Sequence, residues 1–186
     1  LREYEEKTIS NLMFVLIFFV LNKINTNVIT NDNFKIPKVE GRGSVHNVIL
    51  NNFKVKLIDQ SYNANPETMF ESIKNFSIIK NEKRDKILIL GNMNELGLKA
   101  HALHIKVIKE IEKYQFDEVI LSGDFFKKAL SIFSKLKNNY VYKNSSQNIM
   151  SYLKKKLHKN AIIMAKCSNK TEVNKFVKLL KLKKKG

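Results

Sequence analysis

Lys86-Ile87-Leu88-Ile89-Leu90-Gly91, followed by the polar loop Asn92 to Leu96 and then Gly97, decides how the chain reads. An apolar run this short, closed by a glycine, reads as a buried strand rather than a helix. A helical pattern follows from about Lys99 to Tyr114, with Leu103, Val107, Ile108 and Ile111 on one side. The alternation continues downstream. Glu118 to Leu121 reads as a strand ending in Ser122-Gly123, Phe125 to Leu136 as a helix, and Tyr140 to Tyr142 as a short strand. Ser146 to Leu157 is a helix, Ala161 to Ala165 a strand, and Thr171 to Leu182 a last helix. Upstream, Pro66 suits the first turn of a helix reaching about Ile78, with Asn65 as its N-cap. Before it, Val45 to Leu50 and Phe53 to Asp59 read as two strands joined at Asn51-Asn52, residues that tolerate the backbone of a tight hairpin.

Strands that are near-continuous apolar runs and alternate with helices predict a mostly parallel sheet buried on both faces. The fold class is α/β: a Rossmann-like, mostly parallel sheet with helices on both faces, from about residue 44 to the end. A helical segment precedes it, from Thr8 to about Asn25, apolar nearly all round. Its core, residues 11–21 (NLMFVLIFFVL), is shorter than the roughly 20 residues that span a bilayer. The flank before it is rich in Glu, and no small-residue cleavage site follows. A buried core helix is therefore expected, with no membrane insertion. Gly41-Arg42-Gly43 punctuates the chain after a polar stretch containing Pro37, which places a boundary between residues 1–40 and 41–186. The chain begins at Leu1 rather than Met, so a preceding portion is expected.

The 186 residues suffice for one well-cored domain and part of another. The single cysteine, Cys167, excludes an internal disulfide framework and suits a reducing compartment. The formal net charge of +17 would attract nucleic acid, anionic membrane or a phosphorylated substrate. Lysine is spread along the whole chain, however, and only Lys178 to Lys185 forms a dense run, so general compositional bias is the plainer reading. No arginine cluster with interleaved aromatics is present to grip a single strand. The sequence also has no G-x-x-x-x-G-K-[ST] loop, no G-x-G-x-x-G and no G-x-S-x-G. The four histidines have no metal-ligand spacing, His104 reads as a packing or capping residue, and Cys167 as a small buried thiol.

Ligands of such sheets bind beyond the carboxyl ends of the strands. Those ends are Asp59 to Asn65, Gly91 to Gly97, Ser122 to Asp124 and Lys166 to Asn169. The loop Asp59-Gln60-Ser61-Tyr62-Asn63-Ala64-Asn65-Pro66 gathers a carboxylate, amides, hydroxyls and a helix N-terminus. It could hold a ribose, a carboxylate or a peptide, and it reads equally as an elaborate capping turn. Glu95 lies inside the second loop. Arg42, between glycines, is either an exposed hinge residue or a clamp for phosphate or carboxylate.

Taken together, these loops resemble the Mur ligase family of peptidoglycan synthesis. Asp59 to Pro66 is similar to the Asp-Asp-Ser-Tyr-Asn-Ala-Asn-Pro signature of the branch that adds D-alanyl-D-alanine. Sister branches that add single amino acids resemble Asp-Tyr-Ala-His or Asp-Ser-Lys-Ala there. Gly41-Arg42 resembles the family's Gly-Arg pair, Gly91 to Gly97 its Gly-Asp-Met-x-Glu-Leu-Gly loop, and Lys166-Cys167-Ser168-Asn169 its Lys-Gly-Ser-Arg. The order matches from about residue 7 to residue 182.

The resemblance implies a cytoplasmic, ATP- and Mg2+-dependent carboxylate–amine ligase of three domains, of which this chain is the end of the central domain and the C-terminal domain. The partners it implies are UDP-N-acetylmuramoyl-tripeptide and D-alanyl-D-alanine; a monomer is expected and no nucleic acid. ATP and Mg2+ would be bound mainly by the central domain. Carried over, Asn11, Arg42 and Gln60 match ATP-facing positions. Tyr62, Asn63, Asn65, Glu95, Lys166 and Ser168 match loops facing the incoming dipeptide. No residue here is assigned a catalytic or metal-binding role. The sequence departs from the pattern at Gln60, where the family has an acid, and at Lys7 and Thr8, where it has His-Asn. Asn92 stands for Asp, Cys167 for Gly and Asn169 for Arg. The alternatives are a related ligase for another amine or a basic nucleic-acid-binding module on the same scaffold. Without a phosphate loop, the chain by itself is expected neither to hydrolyse ATP nor to ligate.

Overall fold

A computed structural model describes residues 6–27, 39–80 and 83–182, with the backbone alone at 6–9. The side chains of Lys7 and Thr8, Pro37 with most of its polar stretch, and the end of the lysine tail lie outside the described residues. The chain separates into two compact units, Leu1–Pro37 and Lys38–Gly186.

In the first unit, α1 (Glu6–Leu21) forms where the apolar run predicts a helix. The expectation of burial does not hold. Phe14, Phe18 and Leu21 are 71%, 58% and 76% exposed. The reason is physical: the helix is apolar on nearly every side, and the described part of its unit has no second layer to cover it. Among the described residues, no helix is long and apolar enough to cross a membrane.

In the second unit, β1 (Ser44–Leu50) and β2 (Phe53–Gln60) form an antiparallel hairpin, with Leu50 opposite Phe53. Asn51 and Asn52 both adopt positive φ (50° and 66°), as a tight hairpin turn demands. The chain then alternates: α2 (Pro66–Ser77), β3 (Asp85–Gly91), α3 (Ala100–Ile111), β4 (Glu118–Ser122), α4 (Asp124–Leu130), β5 (Tyr140–Tyr142), α5 (Ser146–Lys156), β6 (Ala161–Lys166) and α6 (Glu172–Leu182). The strands lie in the order β1-β2-β6-β3-β4-β5, and every pair except β1–β2 is parallel.

The period-2 alternation of the strands sorts their side chains between two cores. Ile87, Ile89, Ile120, Ile163 and Ala165 meet Ile149 and Leu153 of α5 and Phe176 and Val177 of α6. Leu88, Leu90, Val119, Leu121 and Met164 turn the other way, to Ile73 and Phe76 of α2, Val107, Ile108 and Ile111 of α3, and Phe126 of α4. Each fully buried Leu, Ile or Phe contributes about 2 kcal/mol by removing apolar surface from water. The α/β class with helices on both faces is thus observed.

Helix α4 is shorter than its sequence pattern suggests, ending at Leu130 rather than Leu136. Beyond it the bonds tighten to three-residue spacing, Ile132 N–H to Ala129 O (3.4 Å) and Phe133 N–H to Leu130 O (3.2 Å). This turn lets Phe133 and Leu136 pack on the second core without extending the helix.

Cys167 fills the space over Gly91. A Cβ added at Gly91 would lie 2.7 Å from the Cys167 Cβ and 3.1 Å from that of Val173. Burial pushes the Cys167 thiol up to about 12, so it packs as a small apolar group. Gly91→Ala is expected to lower stability to urea unfolding by about 1–3 kcal/mol through overpacking. Adding Cys167→Gly to that variant should restore part of the loss. A neutral Gly91→Ala would contradict the packing described.

Candidate functional site

The parallel register places the carboxyl ends of β2, β6 and β3 side by side, with Gln60 opposite Lys166 and Lys166 opposite Leu90. Three loops leaving these ends are joined through Ser168. Its hydroxyl accepts from the Asn94 N–H (2.9 Å) and donates to Ala64 O (3.4 Å). Its own N–H donates to Asn92 O (3.1 Å). Lys166 Nζ donates to Asn63 O (3.2 Å), and Asn174 Nδ2 on α6 donates to Ser61 O (2.8 Å). Lys166, Ser168 and Asn174 are buried. Each of the three thus reaches a main-chain group of a neighbouring loop, which rigidifies the loops.

The loop after β2 is braced from below. Asp59 is 1% exposed; its Oδ1 accepts from the Ser61 N–H (3.0 Å) and hydroxyl (2.7 Å), and its Oδ2 pairs with Lys181. Lys181 also meets Glu40 at 2.9 Å. Burial disfavours the Lys181 ammonium, but the bonds from Asp59 and Glu40 outweigh it and raise its pKa. Gly41 and Gly43, at φ 76° and 86°, carry the chain past this loop. Gly41 O accepts from the Tyr62 N–H (3.1 Å), Gly43 N–H donates to Asp59 O (2.8 Å), and a Cβ at Gly41 would meet Tyr62 Cβ at 2.9 Å. Only glycine allows so close an approach at that φ.

Each residue singled out by sequence can now be placed. Arg42 is exposed, its guanidinium 5.0 Å from the centroid of the Tyr62 ring. Gln60 points to the opposite face from Asp59, its Oε1 accepting from the Ser72 hydroxyl of α2. Asn65 Oδ1 caps α2 through the Thr68 N–H (2.9 Å), and Thr68 returns the bond to the Asn65 N–H (3.3 Å). Tyr62 and Asn63 are exposed, and Glu95 is exposed at φ 63°, an uncommon setting for a side chain larger than Asn. Asn11 is exposed on α1 in the first unit. The fold therefore gathers Arg42, Tyr62, Asn63, Lys166 and Ser168 at one sheet end, while Gln60 turns to α2.

Two clefts border this end. One, of about 280 Å³, lies among Glu40, Tyr62, Asn169, Lys178 and Lys181. The other, of about 350 Å³, is lined by Asn92, Asn94, Ser122, Asp124, Lys170 and Thr171, among others. The Asn92 side chain packs on Gly123, where an added Cβ would come within 2.4 Å of Asn92 Cγ. Its Oδ1 is buried without a hydrogen-bond partner. Among the described residues, no group of three or more His, Cys, Asp or Glu is placed to hold a metal ion. Lys170, Asn174 and Lys181 escaped the sequence reading because each owes its position to strand β6 inserting between β2 and β3.

His104 holds the second loop from behind. It is fully buried, stacked on Phe125 (5.2 Å between centroids) and edge-on to Phe126 (4.7 Å). Its Nε2 accepts from the Met93 N–H (3.1 Å), so Nδ1 carries the proton and donates to Ala100 O (2.6 Å). Burial lowers its pKa, opposed by the Ala100 bond and assisted by nearby His101. A folded pKa below the unfolded value of about 6.5 means stability present in full above that pH and lost as the pH falls. Unfolding free energy should drop between pH 7.5 and pH 5, and His104→Gln should shrink that drop. An equal drop in both proteins would contradict the buried neutral ring.

The family model described as Mur ligase, glutamate ligase domain, matches residues 46–169. A UDP-N-acetylmuramoyl-tripeptide–D-alanyl-D-alanine ligase of Buchnera aphidicola is 29% identical over 142 residues, covering 76% of this chain and 30% of that protein. The ligase of the same name from Borreliella burgdorferi is 23% identical over 125 residues, covering 67% and 27%. This chain thus spans less than a third of either relative's length. Among solved structures, a MurF ligase of Thermotoga maritima in complex with ADP superposes with a TM-score of 0.71 at 19% identity, covering 97% of this chain and 39% of that one. A UDP-N-acetylmuramoylalanyl-D-glutamyl-2,6-diaminopimelate–D-alanyl-D-alanyl ligase of Acinetobacter baumannii gives a TM-score of 0.73 at 18% identity, covering 96% and 37%. These two likenesses concern the fold. With two-thirds of its length matched by the family model, the chain belongs to the Mur ligase family.

Proposed function

We propose that this chain is the C-terminal part of a ligase joining D-alanyl-D-alanine to UDP-N-acetylmuramoyl-tripeptide in the cytoplasm, with residues 1–40 ending the central domain and 41–186 forming the C-terminal domain. The observation that carries the reading is the cleft beyond β3, β4 and β6. Its lining includes two carboxylates (Asp124 and Glu172), an ammonium (Lys170) and the polar side chains of Asn94, Ser122 and Thr171. That set complements a small zwitterion, whose amine needs acceptors and whose carboxylate needs a cation. A dipeptide has these groups.

In the family reaction, ATP activates the peptide carboxylate as an acyl phosphate, which the dipeptide's amine then attacks. The chain's own contribution is positioning. The exposed Asp124 carboxylate would accept a hydrogen from the amine and orient its lone pair, while Lys170 would hold the far carboxylate. Ser168 and Lys166 would act from behind, fixing the main chain of Asn94, Ala64 and Asn63. Tyr62, Asn63, Asn65 and Glu95 would face the incoming substrate from the surrounding loops. Arg42, exposed on the Tyr62 ring, is free to leave it and meet the ATP phosphates as a bidentate donor. Gln60 would offer the ribose only the amide group not engaged by Ser72, and Asn11 would lie near the nucleotide. On this reading Mg2+ and most contacts to ATP belong to the central domain, and the enzyme works as a monomer.

The test is a chimera in which this chain replaces the matching part of a full-length relative, assayed for amine-dependent phosphate release. D-Alanyl-D-alanine should be accepted and L-lysine or diaminopimelate refused. Lys170→Gln in the chimera should raise KM for the dipeptide about tenfold with little change in kcat. Acceptance of a single amino acid in place of the dipeptide would overturn the reading in favour of a sister ligase.

A further inference from the structure

A third concavity, of about 760 Å³, adjoins the zwitterion cleft and shares Asp124, Tyr142 and Asn144 with it. It lies over α4, β5 and α5, away from the loops joined by Ser168. Lys127, Lys143 and Lys155 border it, one from each of three chain segments. None of the three has a carboxylate within ion-pair distance among the described residues, whereas Lys113, Lys156, Lys159, Lys175 and Lys181 each have one. Two of the three are seated on aromatic faces. The Lys143 ammonium is 4.5 Å from the centroid of Tyr152, and that of Lys127 is 5.9 Å from Tyr142. The Tyr152 ring is itself fixed, its hydroxyl donating to Glu118 Oε1 at 2.7 Å. Asn148 and Ser151 add neutral polar groups along the α5 side.

We propose that this groove binds a small, multiply charged phosphate anion of the oligophosphate class. Three ammoniums without an ion-pair partner among the described residues border one groove, and a compact polyanion placed there gains attraction from them. Lysine suits phosphate as a point charge, and the amide and hydroxyl can complete the shell of the phosphoryl oxygens. A lysine of the protein itself stands over each tyrosine ring, so recognition is assigned to the phosphates rather than to a stacked nucleobase. Asp124, at the end shared with the zwitterion cleft, repels an anion and keeps it toward Lys143 and Lys155.

The test titrates inorganic triphosphate into the whole chain, followed by calorimetry and by amide NMR at near-physiological salt. Binding should shift the amide signals of Asn148 and Ser151. Lys127→Gln, Lys143→Gln and Lys155→Gln combined should weaken it by about tenfold or more. Lys54→Gln, Lys74→Gln and Lys109→Gln combined remove the same charge from exposed positions off the groove, and should change it by less than about twofold. Equal weakening in both triple variants, or signals at Asn148 and Ser151 that stay still, would overturn the proposal. So would binding of long single-stranded DNA with none of triphosphate, which would mark a diffuse polyelectrolyte surface. Circular dichroism of each variant confirms that the fold is retained.

Discussion

The buried hydroxyl of Ser168 is the group on which the candidate site depends. It is 5% exposed and holds the Asn94 N–H on one side and Ala64 O on the other. A hydroxyl taken out of water without partners costs stability, so its two bonds fix the distance between loops that are far apart in sequence. This is possible because β6 lies between β2 and β3 in parallel register, which delivers three strand ends to one place. Lys166 and Asn174 repeat the device on the Ser61 to Asn65 loop, each reaching a main-chain carbonyl.

The same architecture explains how the chain accommodates its departures from the family pattern. Cys167, in place of glycine, occupies the space that Gly91 leaves open, and Gly91 tolerates no side chain beneath it. Asn92, in place of aspartate, is wedged against Gly123, with its Oδ1 buried and without a hydrogen-bond partner. Gln60 is drawn toward α2 by Ser72, whereas its neighbour Asp59 is held on the other face by Ser61 and Lys181. The period-2 geometry of a strand makes these two neighbours do opposite jobs.

Much of the fold was legible because its signals are local. Apolar runs such as residues 86–90 marked the strands, Asn51-Asn52 marked the hairpin, and Asn65-Pro66 marked a helix start that proved to be a capping box with Thr68. What failed or went unseen was tertiary. The apolar pattern of residues 11–21 announced a helix correctly, but burial needs a partner surface, and pattern alone does not supply one. Phe133 and Leu136 continued the helical period of α4 although their packing is reached through a turn. The site loops were visible as polar strand ends, but the bonds by which the buried Lys166 and Ser168 tie those loops together were not. Asn174, Lys170 and Lys181 carried no sequence signal, since their roles exist only once α6 docks beside β6.

The most direct measurement is amide hydrogen exchange in the chain and in Ser168→Ala. If the hydroxyl joins the loops, the variant should exchange faster at Asn94 and should also shift the signals of Asn63 to Asn65, around Ala64, which is 104 positions away in sequence but bonded to the same residue. The rest of the sheet should keep its protection. Changes confined to residues next to position 168, with Asn94 and the Ala64 loop unmoved, would contradict the account.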